Sequence, residues 1–338
     1  MALWLWGLTL AVAEEASGLR IALWDPQLGR KGPGLLYRDI LARKDPQVAA
    51  SVAEMASLSA DVLLLLDFDW DAQGLAAEAF RKSLAAQGLD YPYALHLQPN
   101  SGLPSGADLD GNGVLGEARD AQGYGRFTGQ GGVLLLSRLE IGPVQDLSGT
   151  LWRDMPDTLI AGAGLSEAAQ RVQRLSSTVH WDVRVHEAGH ALRLLVWAAT
   201  PPIFDGPEDR NGRRNHDETA FWLPYLAGLP DDPPVVMLGR ANLDPDQSEG
   251  RKDALQALLA HPRLQDPRPA STDAAQRGSP FATSDLSGRL LRLDYILPDR
   301  RLQVSGAGTR WQAPAHVSPR YKMVWVDIAW PCDCARGD

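Results

Sequence analysis

Apolar and polar positions along this chain follow two rhythms: short apolar runs of strand length, and longer stretches with an apolar residue every three or four positions. LRIALWDPQLG (19–29) is of the first kind. It must end at Asp25-Pro26, because proline brings no N–H to a ladder and opens a loop. DPQVAASVAEMASLSA (45–60) has the helical rhythm, with Asp45 suited to the N-cap and Pro46 to the first helical position. DVLLLLDFDWD (61–71) is a continuous apolar run, expected as a strand buried on both faces, and it ends in acids at alternate positions, Asp67, Asp69 and Asp71.

The second half repeats the alternation. GGVLLLSR (131–138) reads as a buried strand, and HWDVRV with ALRLLVW as a hairpin pair. NHDETAFWLPYLAGL reads as a helix opened by Asn215 with Glu218 three residues on, a capping-box spacing. The strand VVMLG, a helix at GRKDALQALLAHP, and the strands LRLDYILP and YKMVWVDI follow, with no internal repeat. Strands alternating with helices in each half, each half closing with strand pairs, predict an α+β fold of two sheets packed face to face with helices outside.

Composition narrows this picture little. The 338 residues, 44% apolar and 22% charged, suffice for a sizeable core in one large domain or two. A net charge of −9 excludes coating DNA by charge alone, although a local basic cluster can still hold one phosphate. The first 18 residues, MALWLWGLTLAVAEEASG, carry an apolar run and the small-x-small Ala11-Val12-Ala13 but lack a basic start. They read either as a secretory signal, implying a secreted or periplasmic protein, or as an ordinary buried segment. No run is long enough to embed the chain in a membrane. Cys332 and Cys334, in the tail 331–338, are one residue apart; that spacing disfavours a mutual disulfide, and two thiols are too few for a zinc site.

Four motifs carry candidate chemistry. HEAGH (186–190) matches the zinc signature of metalloproteases, which requires a helix, whereas its flanks alternate as strands and make Glu187-Ala188-Gly189 a hairpin tip. DLDGNGVLGEARD (108–120) places Asp108, Asp110 and Asn112 at positions one, three and five of a calcium loop, with Gly113 at the sixth. Arg119 stands where the bidentate acid belongs, so Glu117 or Asp120 would have to close the shell; the alternative is a plain Asp/Gly loop. DRNGRRNHDE gathers Arg210, Asn211, Arg213 and Arg214 before the expected cap, either as a solvated loop or as a bidentate phosphate clamp. VVMLGRANLDP (235–245) ends a buried strand in Arg240 and Asn242.

In order, the strand to Asp25, the acid-tipped strand to Asp67, the strand to Ala198, GRANLDP, and LDYILP followed by SPRYKMVWVDI resemble the endonuclease/exonuclease/phosphatase family, over Leu19 to Ile328. The resemblance implies a four-layer α/β/β/α sandwich over residues 19–330, and magnesium-assisted hydrolysis of phosphoesters in phosphorylated small molecules or nucleic acids. By position, Asp25 falls where the family usually has Asn, Asp67 or Asp69 near its metal-binding Glu, and Asn242 on the Asn of its Gly-Asp-x-Asn turn. The other matches fail: Arg240 replaces the turn's Asp, Ala198 a His, and Pro319-Arg320-Tyr321 the Ser-Asp-His. Arginine accepts no proton and tyrosine is a poor base at neutral pH, so the general base is missing. The expectation is therefore a divergent member with hydrolysis weakened or lost, in which Asp25, Asp67, Asp69 and Asn242 form the catalytic set. Asp67 and Asp69 would hold magnesium, Asp108, Asp110, Asn112 and Asp120 calcium, and Arg240 and Tyr321 would join the arginine cluster in binding substrate. A non-catalytic binder of phosphorylated ligands is the alternative.

Overall fold

The computed structural model describes residues 18–271, 279–310 and 320–330; residues 1–17 of the candidate signal, Pro319, Cys332 and Cys334 lie outside them. The strands are β1 Gly18–Trp24, β2 Val62–Phe68, β3 Tyr93–Leu95, β4 Gly132–Ser137, β5 Glu140–Asp146, β6 His180–Glu187, β7 His190–Ala198, β8 Val235–Arg240, β9 Ser284–Leu286, β10 Arg289–Leu291, β11 Asp294–Pro298, β12 Val304–Arg310 and β13 Met323–Ala329. The α-helices are α1 Leu35–Ala42, α2 Pro46–Leu58, α3 Leu75–Ala85, α4 Glu167–Val172, α5 Arg210–Ala220, α6 Trp222–Gly228 and α7 Asp253–Leu259.

β1 and β2 lie side by side and parallel, which obliges the chain between them to cross over; α1 and α2 make that crossing. Asp45 caps α2 as its sequence predicts, accepting the Val48 N–H at 2.9 Å. The first sheet runs β12-β13-β1-β2-β4-β3 and the second β11-β8-β7-β6-β5, with β7 and β8 parallel; β9 and β10 form a separate ribbon. The continuous apolar runs divide by alternation. Val62, Leu64 and Leu66 of β2 point between the sheets and meet Val183, Leu194, Val236 and Ile296, whereas Leu63 and Leu65 point outward onto α2 and α3 at Val52, Met55 and Phe80. On the far side Trp197, Met237 and Leu297 pack against Trp222 of α6 and Leu255 of α7. The result is the expected four-layer sandwich, α+β in class. Each fully buried Leu or Val in it contributes roughly 1.5–3 kcal/mol.

HEAGH is a hairpin. Ala188 (φ 48°) and Gly189 (φ 85°) both take left-handed backbone, the signature of a two-residue type I′ turn, and Glu187 pairs with His190 while His186 pairs with Ala191. Directly opposed residues share a face, so His186 and His190 lie on opposite faces of the ribbon. Glu187 accepts the Trp330 indole N–H at 2.9 Å instead of activating water. The helix that the zinc signature requires is therefore not formed here. Dialysed protein is expected to hold no stoichiometric zinc, with metal content unchanged by His190→Ala; one zinc per chain that this substitution removes would contradict the hairpin.

Candidate functional site

The C-terminal ends of both parallel pairs open at the same end of the sandwich. β1 delivers Asp25, β2 Asp67, β7 Ala198 and β8 Arg240, and all four line one pocket of about 410 Å³ with Asn242, Thr200, Arg320 and Tyr321. β8 reaches it by pressing close to β7: a Cβ at Gly239 would run into the Trp197 carbonyl, so glycine is required there. Asn242 sits at φ 52°, a conformation asparagine tolerates, and its side-chain amide donates to the Ala199 carbonyl at 2.7 Å.

Arg240 organises this pocket. Its Nη1 donates to Asp25 and its Nε to Asp294 at 2.7 Å, with Nη2 at 3.2 Å from the second Asp294 oxygen. The Tyr321 ring lies 3.8 Å from the guanidinium carbon, a cation–π contact. Burial works against the arginine's charge, but Asp294 and Asp25 outweigh it and hold its pKa above the ordinary range. For Asp294, burial prevails over Arg240 and raises its pKa. Burial likewise raises the Tyr321 phenol, which keeps its proton at neutral pH. Asp294 was absent from the sequence-based site; an acid opening the apolar strand LDYILP is its one sequence signal, and its antiparallel pairing with Arg240 is long-range.

The three acids at the end of β2 part company. A bulge between Leu65 and Phe68 puts Asp67 at φ 51° and breaks the alternation, sending its carboxyl into the pocket. Asp69 instead accepts the Arg30 and Gly131 N–H groups at 2.8 and 2.9 Å, joining two loops, and does not line the pocket. Gly29 and Gly131 flank Asp67 so closely that a Cβ at either would crowd its carboxylate. Burial, then the neighbouring charges of Asp25 and Asp69, push its pKa up to about 8.

The arginine cluster lies outside this pocket, with Arg210, Asn211 and Arg214 lining a neighbouring groove. Residues 210–220 are helix, not loop, so Asn215 does not cap: its amide donates to the Thr200 and Ala241 carbonyls at 2.6 and 2.7 Å. Glu218 completes no capping box; its carboxylate accepts the Ser177 N–H at 2.5 Å and the Thr200 N–H at 2.6 Å. Arg210 donates to the Leu109 and Ala163 carbonyls and Arg213 to the Glu208 carbonyl. Arg214 donates to the carbonyls of Gln122, Arg174, Leu175 and Ser176. Asn211 ties the preceding loop, donating to the Ile203 carbonyl at 2.7 Å. These side chains fasten backbone around the site, and none of the four lines the Arg240 pocket.

The loop at 108–120 brings Asp108, Asp110 and Asp120 together, with one oxygen of each within 4.8 Å of the others. Asp108 accepts the Gly111 and Gly113 N–H groups at 2.7 and 2.8 Å. The Asn112 amide reaches Glu117 at 2.6 Å and Asp110 at 3.2 Å.

The sequence profile of the Endonuclease/Exonuclease/phosphatase family matches residues 37–326. The chain belongs to this family. No curated protein matches it in sequence. Among solved structures, the endonuclease/exonuclease/phosphatase from Beutenbergia cavernae is similar over 92% of this chain and 71% of its own, at 16% identity and a TM-score of 0.55. The human Nocturnin catalytic domain with bound sulfate matches over 92% and 93%, at 13% and 0.56. Sphingomyelinase C from Streptomyces griseocarneus matches over 92% and 99%, at 16% and 0.51. At such identities these likenesses establish the fold.

Endonuclease/exonuclease/phosphatase enzymes generally use divalent metals. This donor set fits one poorly: one Asp25 oxygen is taken by Arg240 and the other by the Gln27 N–H at 2.8 Å, which leaves Asp67 as the carboxylate without a side-chain partner among the described residues.

Two outcomes follow from this chemistry. Asp67 binds its proton more tightly folded than unfolded, so its contribution to stability is fully present below its ordinary 3.8 and is lost as pH rises toward about 8. Thermal melts from pH 5 to 8 should show Asp67→Asn gaining on the wild type at up to about 1.4 kcal/mol per pH unit; a pH-independent difference would contradict this. If the acidic loop holds calcium, chelation lowers the melting temperature and Asp110→Ala abolishes that sensitivity, since a ligand of the folded state alone stabilises it; an unchanged melt leaves a plain loop.

Proposed function

We propose that this family member binds the phosphate of a phosphoester, in a phosphorylated small molecule or a nucleic acid, in the pocket at the strand ends, and that metal-dependent hydrolysis there is weakened or lost. The observation carrying this reading is Arg240, held between Asp25 and Asp294 where a permanent cation competes with a divalent one for the same carboxylates. Among the described residues no histidine lines the pocket, and Tyr321 holds its proton, so neither kind of side chain supplies a base there. The same residues favour the non-catalytic binder, because a charged guanidinium and the Arg320 side chain at the pocket wall suit an anion without further chemistry.

The test is turnover of a chromogenic phosphodiester and of DNA with magnesium, beside magnesium binding by calorimetry. Wild type is expected to show little of either, and Arg240→Asp to gain magnesium binding before turnover. A missing proton-transfer group costs about a hundredfold to ten-thousandfold, so repairing one defect does not return full activity. Robust wild-type turnover that collapses in Asp67→Ala would overturn the reading.

A further inference from the structure

Beside the Arg240 pocket runs a larger groove of about 930 Å³, and the two cavities share Tyr124, Thr200 and Pro201 in their walls. Two aromatic rings stand exposed along the groove from separate loops, Tyr124 at 66% and Phe204 at 84%. Phe204 is not merely loose. Its backbone takes φ 74°, a region a bulky residue rarely occupies and one that persists only where the surroundings impose it. They do so on both sides: Asn211 donates its amide to the Ile203 carbonyl at 2.7 Å and its N–H to Asp205 at 2.5 Å. The ring is thus held out into solvent by the start of α5, an arrangement that core packing does not explain.

Resting on the phosphate reading above, we propose that this groove is a subsite for a planar, polar-edged ring carried by the same ligand, so that the chain takes a nucleotide-like ester with a single phosphate. The chemistry of the walls selects this class. Exposed aromatic faces stack on rings of any sequence, and the Asp110, Asn112, Arg119 and Asp205 side chains along the groove offer partners to a ring's hydrogen-bonding edge. An acyl chain laid there would bury those charges without compensation. In the groove the acids Asp110, Asp205 and Glu208 balance Arg119, Arg210 and Arg214, of which Arg210 and Arg214 donate to backbone carbonyls and Arg119 lies 4.0 Å from Asp110. Its walls therefore carry no excess of positive charge for a run of phosphates and suit a ligand whose one anionic group lies in the pocket with Arg240 and Arg320.

Calorimetry with AMP, adenosine, ribose 5-phosphate, inorganic phosphate, a single-stranded oligonucleotide and phosphatidylcholine vesicles tests this on the intact chain. AMP is expected to bind roughly tenfold or more tightly than ribose 5-phosphate, and Phe204→Ala to cut AMP and adenosine affinity by a similar factor while leaving ribose 5-phosphate unchanged. Phe204→Tyr should keep the AMP affinity, and melts of both variants should match the wild type because the side chain is exposed. Ribose 5-phosphate binding as tightly as AMP, or AMP binding indifferent to Phe204→Ala, overturns the ring subsite and leaves the phosphate reading standing. Phe204-dependent adenosine binding that phosphate does not strengthen supports the subsite and removes the phosphate reading. Vesicles or the oligonucleotide binding in preference to AMP overturns the proposal.

Discussion

Three buried charges join the two sheets at the functional end of this molecule. Asp25 leaves β1 in one sheet, while Arg240 and Asp294 face each other on β8 and β11 in the other, and a single guanidinium satisfies both acids. Removing one member of such a buried set typically costs about 3–5 kcal/mol, because the remaining charge is left uncompensated. The same bonds occupy the oxygens that a metal ion would need. Asp67 is then the acid left over beside Asp25, and burial in that company is why it retains its proton to an unusually high pH.

Around this triad the loops are fixed by one helix. Arg214, Asn215 and Glu218 lie on a single buried face of α5 and bind the backbone at Gln122, at 174–177, at Thr200 and at Ala241, so that buried polar groups of several loops find partners on one element. A helix of such polar sequence is stable in the interior because its side chains complete other segments' hydrogen bonds. The start of that same helix holds Phe204 outward, so the pocket and the groove take their shapes from one element.

Much of this was legible in advance. The continuous runs at 62–68 and 235–240 became strands covered on both faces, the β-branched flanks of HEAGH outweighed its zinc spacing, and the order of landmarks placed Asp25, Asp67, Asn242, Arg240 and Tyr321 in one pocket. What escaped was whatever depends on distant partners. Asn215 and Glu218 have the spacing of a capping box, yet their partners lie 15 to 41 residues away, which spacing within a helix does not encode. α5 begins at Arg210 behind Asp209, whose left-handed backbone makes no side-chain cap, so the usual start signal is absent. Asp69 alternates correctly with Asp67 in sequence, but the bulge at Asp67 resets the pleat and only one of them reaches the pocket.

The pairing of Arg240 with two acids also bears on the routes by which such a site changes over generations. An arginine whose charge is needed by Asp25 and Asp294 together is not lost alone at low cost: the intermediate chain would carry Asp25, Asp67 and Asp294 around a vacated cation. Either a metal must already be abundant enough to fill the place, or one acid must become neutral first. The order of substitutions is therefore constrained: with two buried carboxylates relying on one guanidinium, none of the three charges is exchanged alone without cost to the fold.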